Sequence, residues 1–108
     1  MKKMFQQPIS DEPVVKNEPA HLILDGASLH SGRLVLTTKR LMYGKDTRKE
    51  PGLSIDLDTI NKLERRHLLT DDNILVVIYL QYKEVRFSVL NYDAWEDAIE
   101  TTRMTSHI

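Results

Sequence analysis

The chain has 108 residues, of which 41% are hydrophobic, and its 15 Lys and Arg nearly balance its 16 Asp and Glu. This length suits one domain of ordinary size, and the formal net charge of −1 argues against a general nucleic-acid binder. The absence of cysteine excludes disulfides, thiolate nucleophiles and cysteine-ligated metals.

The N-terminal part of the chain predicts an extended, proline-rich leader. Pro8, Pro13 and Pro19 fall within this segment or directly after it, among polar residues. Proline fixes φ and has no backbone donor, which disfavours a regular helix or a central strand. The predicted organisation is a leader over 1–18, a folded domain over 19–104 and a tail over 105–108.

After Pro19, short apolar runs alternate with turn residues, the pattern of a β-rich domain. Leu53, Ile55 and Leu57 alternate with polar residues, as in a half-buried strand. The polar corner Thr37–Arg40 separates two apolar runs and predicts a hairpin. The predicted strands are 20–24, 33–36, 40–43, 53–57, 64–69, 74–80 and 82–90.

The run Ile74–Leu80 is apolar at both strand parities, which predicts a strand that is covered on both faces. The parity assigned to the core is Ile74, Val76, Ile78 and Leu80. The opposite parity, a candidate interface, is Leu75, Val77 and Tyr79. The leader, the helix or another subunit would have to cover that second face.

The C-terminal segment predicts one amphipathic helix of about thirteen residues with Asn91 as its N-cap. Tyr92, Trp95 and Ile99 are spaced by three and four residues, so they share one helix face. Trp95 and Ile99 are therefore predicted to face the core.

Three sequence features resemble the GRAM and bacterial PH-like domain family. They are the stretch Gly32–Tyr43 with its Thr-x-Lys-Arg corner, Glu18 before the first strand, and Trp95 in the helix. The resemblance implies a mainly β fold with one C-terminal α-helix, a PH-like antiparallel barrel of six or seven strands capped by the helix. It further implies that the helix tryptophan fills one end of that barrel.

The implied fold hosts lipid binding, peptide binding and self-assembly alike. Phosphoinositide-binding PH domains usually carry a lysine at the end of the first strand. Here Asp25 occupies that turn, which argues against high-affinity inositol phosphate binding. The basic loop with Lys45, Arg48 and Lys49 is a candidate anionic-ligand loop, since each cation near an anionic membrane contributes about 1 kcal/mol. A solvated hairpin loop is the alternative interpretation.

No catalytic, cofactor-binding or metal site is predicted. Ser28 and His30 are close in sequence, but the Gly-x-Ser-x-Gly turn of a serine nucleophile is absent. The four histidines lack metal-ligand spacing.

The sequence thus favours a non-enzymatic interaction or assembly module that self-associates as a homo-oligomer or binds a protein partner. The alternative is a peripheral adaptor that binds anionic membrane lipid through the basic loop. No apolar run is long enough for a transmembrane segment, and the N-terminus lacks the apolar core of a signal peptide. The expected location is cytoplasmic or peripheral at the membrane.

Overall fold

The computed structural model describes residues 12–24, 28–45, 52–68 and 70–106, and in it seven strands precede one α-helix. A single 3₁₀ turn, Leu57–Thr59, lies between the fourth and fifth strands. The elements are β1 Val14–Leu24, β2 Ser28–Thr37, β3 Arg40–Gly44, β4 Leu53–Asp56, β5 Ile60–Leu68, β6 Asp71–Tyr79, β7 Lys83–Ser88 and α1 Tyr92–Ser106.

The strands form one antiparallel sheet in the order β4-β3-β2-β1-β7-β6-β5. It consists of two meanders, β1–β4 and β5–β7, joined where His21–Ile23 of β1 pair with β7. The predicted mainly β architecture with one C-terminal helix is confirmed. The sheet is open, however, because no ladder joins the edge strands β4 and β5 among the described residues.

The first strand begins at Val14, within the segment predicted as leader. Pro19 is tolerated in it because β1 pairs with β2 over most of its length but with β7 only from His21 to Ile23. Proline therefore lies in the half of β1 that has a single neighbouring strand, where a missing donor costs least. At the other terminus α1 continues to Ser106, into the predicted tail. Residues 1–11 lie outside the described part of the chain.

The polar corner between β2 and β3 holds the start of β1. Thr37 Oγ1 accepts hydrogen bonds from the backbone N–H groups of Lys39 and Arg40, both at 3.1 Å, and donates to Glu12 Oε1 at 3.0 Å. Arg40 Nη2 lies 2.8 Å from Glu12 Oε2, and the Glu12 side chain is only 1% exposed. The corner that predicted a hairpin is therefore also the anchor for the residues before β1.

We expect Glu12→Gln to destabilise the fold by about 2 kcal/mol, less than for a fully buried ion pair because Arg40 is partly exposed. Arg40→Gln tests the same pair from the other side. Urea denaturation of both single variants and the double variant should give a coupling energy of about 1–3 kcal/mol. Additive effects would mean that the ion pair does not anchor β1.

The main core lies between the inner face of the sheet and α1. Trp95 and Ile99 are both 0% exposed within it. Trp95 Nε1 donates to Glu18 Oε1 at 3.1 Å, and Lys16 Nζ, 2.9 Å from Glu18 Oε2, lies 5.2 Å from the indole ring centroid. The helix is therefore fixed to β1 by an apolar contact and a polar one.

Both ends of α1 are also tied to the sheet. Asn91 Oδ1 accepts a hydrogen bond from the N–H of Ala94 at 3.1 Å, the geometry of the predicted N-cap. Tyr92 N–H donates to Asn73 Oδ1 at 2.8 Å. Near the other end Arg103 Nη2 donates to the carbonyl of Ile60 at 2.8 Å. The helix thus spans from the start of β6 to the start of β5.

Trp95→Ala should destabilise the protein by about 3–5 kcal/mol, because it removes a fully buried side chain and leaves a cavity. Glu18→Gln is the matched control, since it keeps the packing and weakens only the polar contacts of Glu18 with Trp95 and Lys16, at a cost of about 1 kcal/mol. Far-UV circular dichroism in urea is the suitable measurement, since Trp95 is the only tryptophan. If Trp95→Ala and Glu18→Gln lowered the free energy of unfolding by the same amount, the packing role of Trp95 would be contradicted.

Candidate functional surfaces

The structure reverses the predicted orientation of β6. Leu75 and Val77 are 0% exposed and belong to the main core, and the half-buried Tyr79 packs against it. Leu75 lies opposite Phe87 of β7, and α1 contacts β6. The assignment of these residues to an outer interface is therefore wrong. A strand that is apolar at both parities does not reveal in its sequence which parity faces inward.

The outer face of β6 is apolar too, but the chain itself covers it. Ile74, Val76 and Ile78 form a second cluster with Ile23 of β1, and Val76 is 0% exposed. The cross-strand neighbours on this face include Lys62, Glu64, Arg66, Glu84 and Arg86. We call these five residues the outer charge layer. Their aliphatic stems shield the apolar cluster while their charged ends reach water, so no second subunit is needed to bury it.

Ion pairs hold the outer charge layer together. Glu64 lies 3.0 Å from both Lys62 Nζ and Arg66 Nη2, Arg66 Nη1 lies 3.2 Å from Glu84, and Arg86 Nε lies 3.9 Å from Glu84. Hydrogen bonds from Lys62 and Arg66 hold the pKa of the Glu64 carboxyl below its usual value. The stabilisation from this carboxylate is therefore present at neutral pH and is lost as the pH falls through the lowered pKa.

Val77→Asp and Ile78→Asp form a matched pair that tests the orientation of β6. Val77→Asp buries a carboxylate in the main core and should cost more than about 3 kcal/mol. Ile78→Asp places the charge on the partly exposed outer face, between Lys62 of β5 and Glu84 of β7, and should cost about 1–2 kcal/mol. Chemical denaturation followed by circular dichroism measures both. A soluble, folded Val77→Asp variant would contradict the inward orientation of Val77 and would support its predicted place in an outer interface.

The strand register brings the ends of several strands together. Ile23 pairs with Arg86, so the end of β1 and the start of β2 lie beside the start of β7, and the β6–β7 turn shares that end of the sheet. Gly44 pairs with Arg33, the sixth of the ten β2 residues, so β3 runs toward the same end but stops about halfway along β2. We call the end of the sheet where β1 ends and where β2 and β7 begin the loop end.

Exposed apolar side chains are concentrated at the loop end. Leu24 at the end of β1 and Leu29 near the start of β2 are 42% and 53% exposed, and Leu80 and Tyr82 in the β6–β7 turn are 48% and 82% exposed. These four are half of the eight large hydrophobic side chains that are exposed among the described residues. Leu80 was predicted to lie in the core. The turn Leu80–Tyr82 lacks the Gly, Asn, Asp or Pro that marks a turn, so composition gave no signal that Leu80 leaves the strand.

Two lysines, one at the loop end and one at the end of β3 that points toward it, have no acidic partner among the described residues. Most described cations pair with a carboxylate. Lys45, after β3, and Lys83, at the start of β7, are exposed and form no ion pair with a described residue. Of the predicted anionic-ligand loop, only Lys45 is described; Arg48 and Lys49 lie outside the described residues.

The described residues contain no cluster of three His, Asp or Glu side chains suited to a metal ion. Ser28 Oγ lies 3.4 Å from His30 Nε2 in an exposed position. Neither described residue has the buried, oriented environment of a nucleophile and its base. The described helix is not long and apolar enough to cross a membrane.

No protein-family model matches the chain, and no curated protein matches it in sequence. Solved structures do match its fold. The C-terminal domain of an unknown protein from Leishmania infantum matches with a TM-score of 0.73 and 16% identity, over 88% of this chain and 87% of that one.

Two further matches contain PH domains. The Slm1-PH domain in complex with inositol-4-phosphate has a TM-score of 0.65 and 16% identity, over 85% of this chain and 96% of that one. The DH/PH fragment of PDZRHOGEF, in a complex with human RhoA, has a TM-score of 0.69 and 11% identity, over 87% of this chain and 29% of that one. This chain therefore has a PH-like fold, as the resemblance implied. At these identities the likeness shows the fold alone, and the closer relationship to GRAM domains stays a prediction.

Proposed function

We propose that this chain is a non-enzymatic PH-like binding module that attaches to an anionic membrane surface through its loop end. The observation that supports the proposal is the combination of exposed Leu24, Leu29, Leu80 and Tyr82 with Lys83 at the loop end, and with Lys45 at the end of β3 that points toward it. Neither lysine forms an ion pair with a described residue. Apolar side chains gain free energy in the acyl region, and lysines are attracted to anionic headgroups.

The shape and chemistry of the loop end favour a bilayer over a folded partner. The apolar residues lie at two separate places, the adjacent ends of β1 and β2 and the β6–β7 turn, and such side chains can enter a lipid surface without a complementary pocket. Tyr82 is a side chain of the type enriched at membrane–water interfaces. Lys45 and Lys83 would each contribute about 1 kcal/mol near anionic lipid.

The protein-binding and homo-oligomer hypothesis loses its main support. It depended on Leu75, Val77 and Tyr79 facing outward, whereas these residues lie in or against the core. The structural neighbours support a binding module without selecting the mode, since one is a complex with inositol-4-phosphate and another contains RhoA. The charge and exposure of the described residues therefore favour the membrane.

Co-sedimentation with phosphatidylcholine vesicles, with and without phosphatidylserine, tests the proposal. Binding should need phosphatidylserine and should weaken as salt is raised, because screening reduces the attraction of exposed charges. Lys45→Gln combined with Lys83→Gln removes two cations and should weaken binding about 30-fold. Lys39→Gln is the matched control: Lys39 is exposed and forms no ion pair with a described residue, but it lies in the β2–β3 corner.

Two results would contradict the proposal. One is an absence of vesicle binding at low salt; the other is a loss of binding in Lys39→Gln as large as that in the loop-end variant. Light scattering on the same samples measures the oligomeric state. A defined oligomer that does not bind vesicles would favour self-association over membrane binding as the function.

A further inference from the structure

We infer that the β6–β7 turn, Leu80–Tyr82, is the element of the loop end that enters the bilayer, and that the fold gives up stability to present it. This inference rests on the proposed membrane function and adds which residues penetrate. It follows from the backbone of the turn, from its attachment to the sheet and from the residues on it.

The backbone of this turn has an unusual conformation for its sequence. Leu80 has φ of 50° and Gln81 has φ of 76°, and they are the only non-glycine residues with positive φ in the described part of the chain. L-residues other than Gly, Asn and Asp are disfavoured in this region because Cβ crowds the backbone. A hairpin turn selected for stability alone would carry Asn-Gly or Asp-Gly here. A strained surface turn that retains leucine indicates a role for the side chain.

The turn is nevertheless held in place. Leu80 N–H donates to the carbonyl of Thr59 at 2.9 Å, and Gln81 N–H donates to Asn61 Oδ1. Both acceptors lie at the junction of the 3₁₀ turn and β5. The turn is thus already ordered before it meets a ligand, which lowers the entropy lost on binding.

The side chains of the turn match the layers of an anionic bilayer. Leu80 supplies an aliphatic group for the acyl region, and Tyr82 supplies an amphipathic ring for the interface. Lys83 follows directly and has no described acidic partner, so its ammonium can reach the headgroups. This charge beside the apolar tip favours an anionic membrane as the occupant over an apolar protein groove.

Replacement of the turn by Leu80→Asn with Gln81→Gly separates stability from binding. Asn-Gly suits two consecutive left-handed residues, so the melting temperature should rise by about 4–8 °C. Affinity for phosphatidylserine vesicles should fall about tenfold, because the aliphatic anchor is gone. The residual binding should depend more strongly on salt. Leu90→Asn is the control: Leu90 is 67% exposed but lies outside the turn, so vesicle binding should not change.

Insertion depth can be measured directly with Tyr82→Trp and vesicles that contain brominated phosphatidylcholine and phosphatidylserine. The introduced tryptophan should be quenched on binding, whereas the native Trp95, 0% exposed, gives a constant background. Leu90→Trp is the matched control and should not be quenched.

The outcomes distinguish this inference from the proposed function. If the unmodified protein does not bind vesicles, the proposed function fails and the inference fails with it. If it binds, but the Asn-Gly variant binds equally well or Tyr82→Trp escapes quenching, the membrane function stands and the assignment to this turn is overturned. An Asn-Gly variant that is less stable than the parent would refute the strain argument.

Discussion

The burial of Trp95 between α1 and the sheet is the contact on which the rest of the architecture depends. The indole fills the main core, where both meanders contribute side chains, and its N–H bonds to Glu18 of β1. An open sheet of seven strands has no closing ladder of its own among the described residues. The helix therefore does what ladder closure does in a barrel: it covers the inner face and fixes the two meanders relative to each other.

The parts of the fold that follow from local sequence were predictable. A single tryptophan at helical spacing from Ile99, after an Asn cap, indicated the helix and its buried face. The orientation of β6 was not predictable, because both of its parities are apolar and the choice depends on α1 and β7. The shielding of Val76 was not predictable either, because the residues that shield it, Glu64 and Arg86, come from the two neighbouring strands.

Non-local pairing also explains why the start of the domain and the loop end were missed. Glu12 looks like part of a polar leader until Thr37 and Arg40, far along the chain, are placed beside it. Likewise, Leu24 and Tyr82 become neighbours at one end only through the register of β1 with β7. Asp25 and Gly26 signalled a turn after Leu24, whereas the turn at Tyr82 carries no such residue, and only the register places both at the same end of the sheet.

The outer charge layer has a consequence for molecules crowded on a surface. β5 is an edge strand, and edges with unpaired backbone groups can join to those of another molecule. Its Lys62 and Arg66 are members of the layer and discourage such sheet extension by repulsion between copies. On a two-dimensional surface, where local concentrations are high, the same charges that shield Val76 would keep neighbouring molecules apart. High salt screens these charges, so crowding is better tolerated at moderate ionic strength.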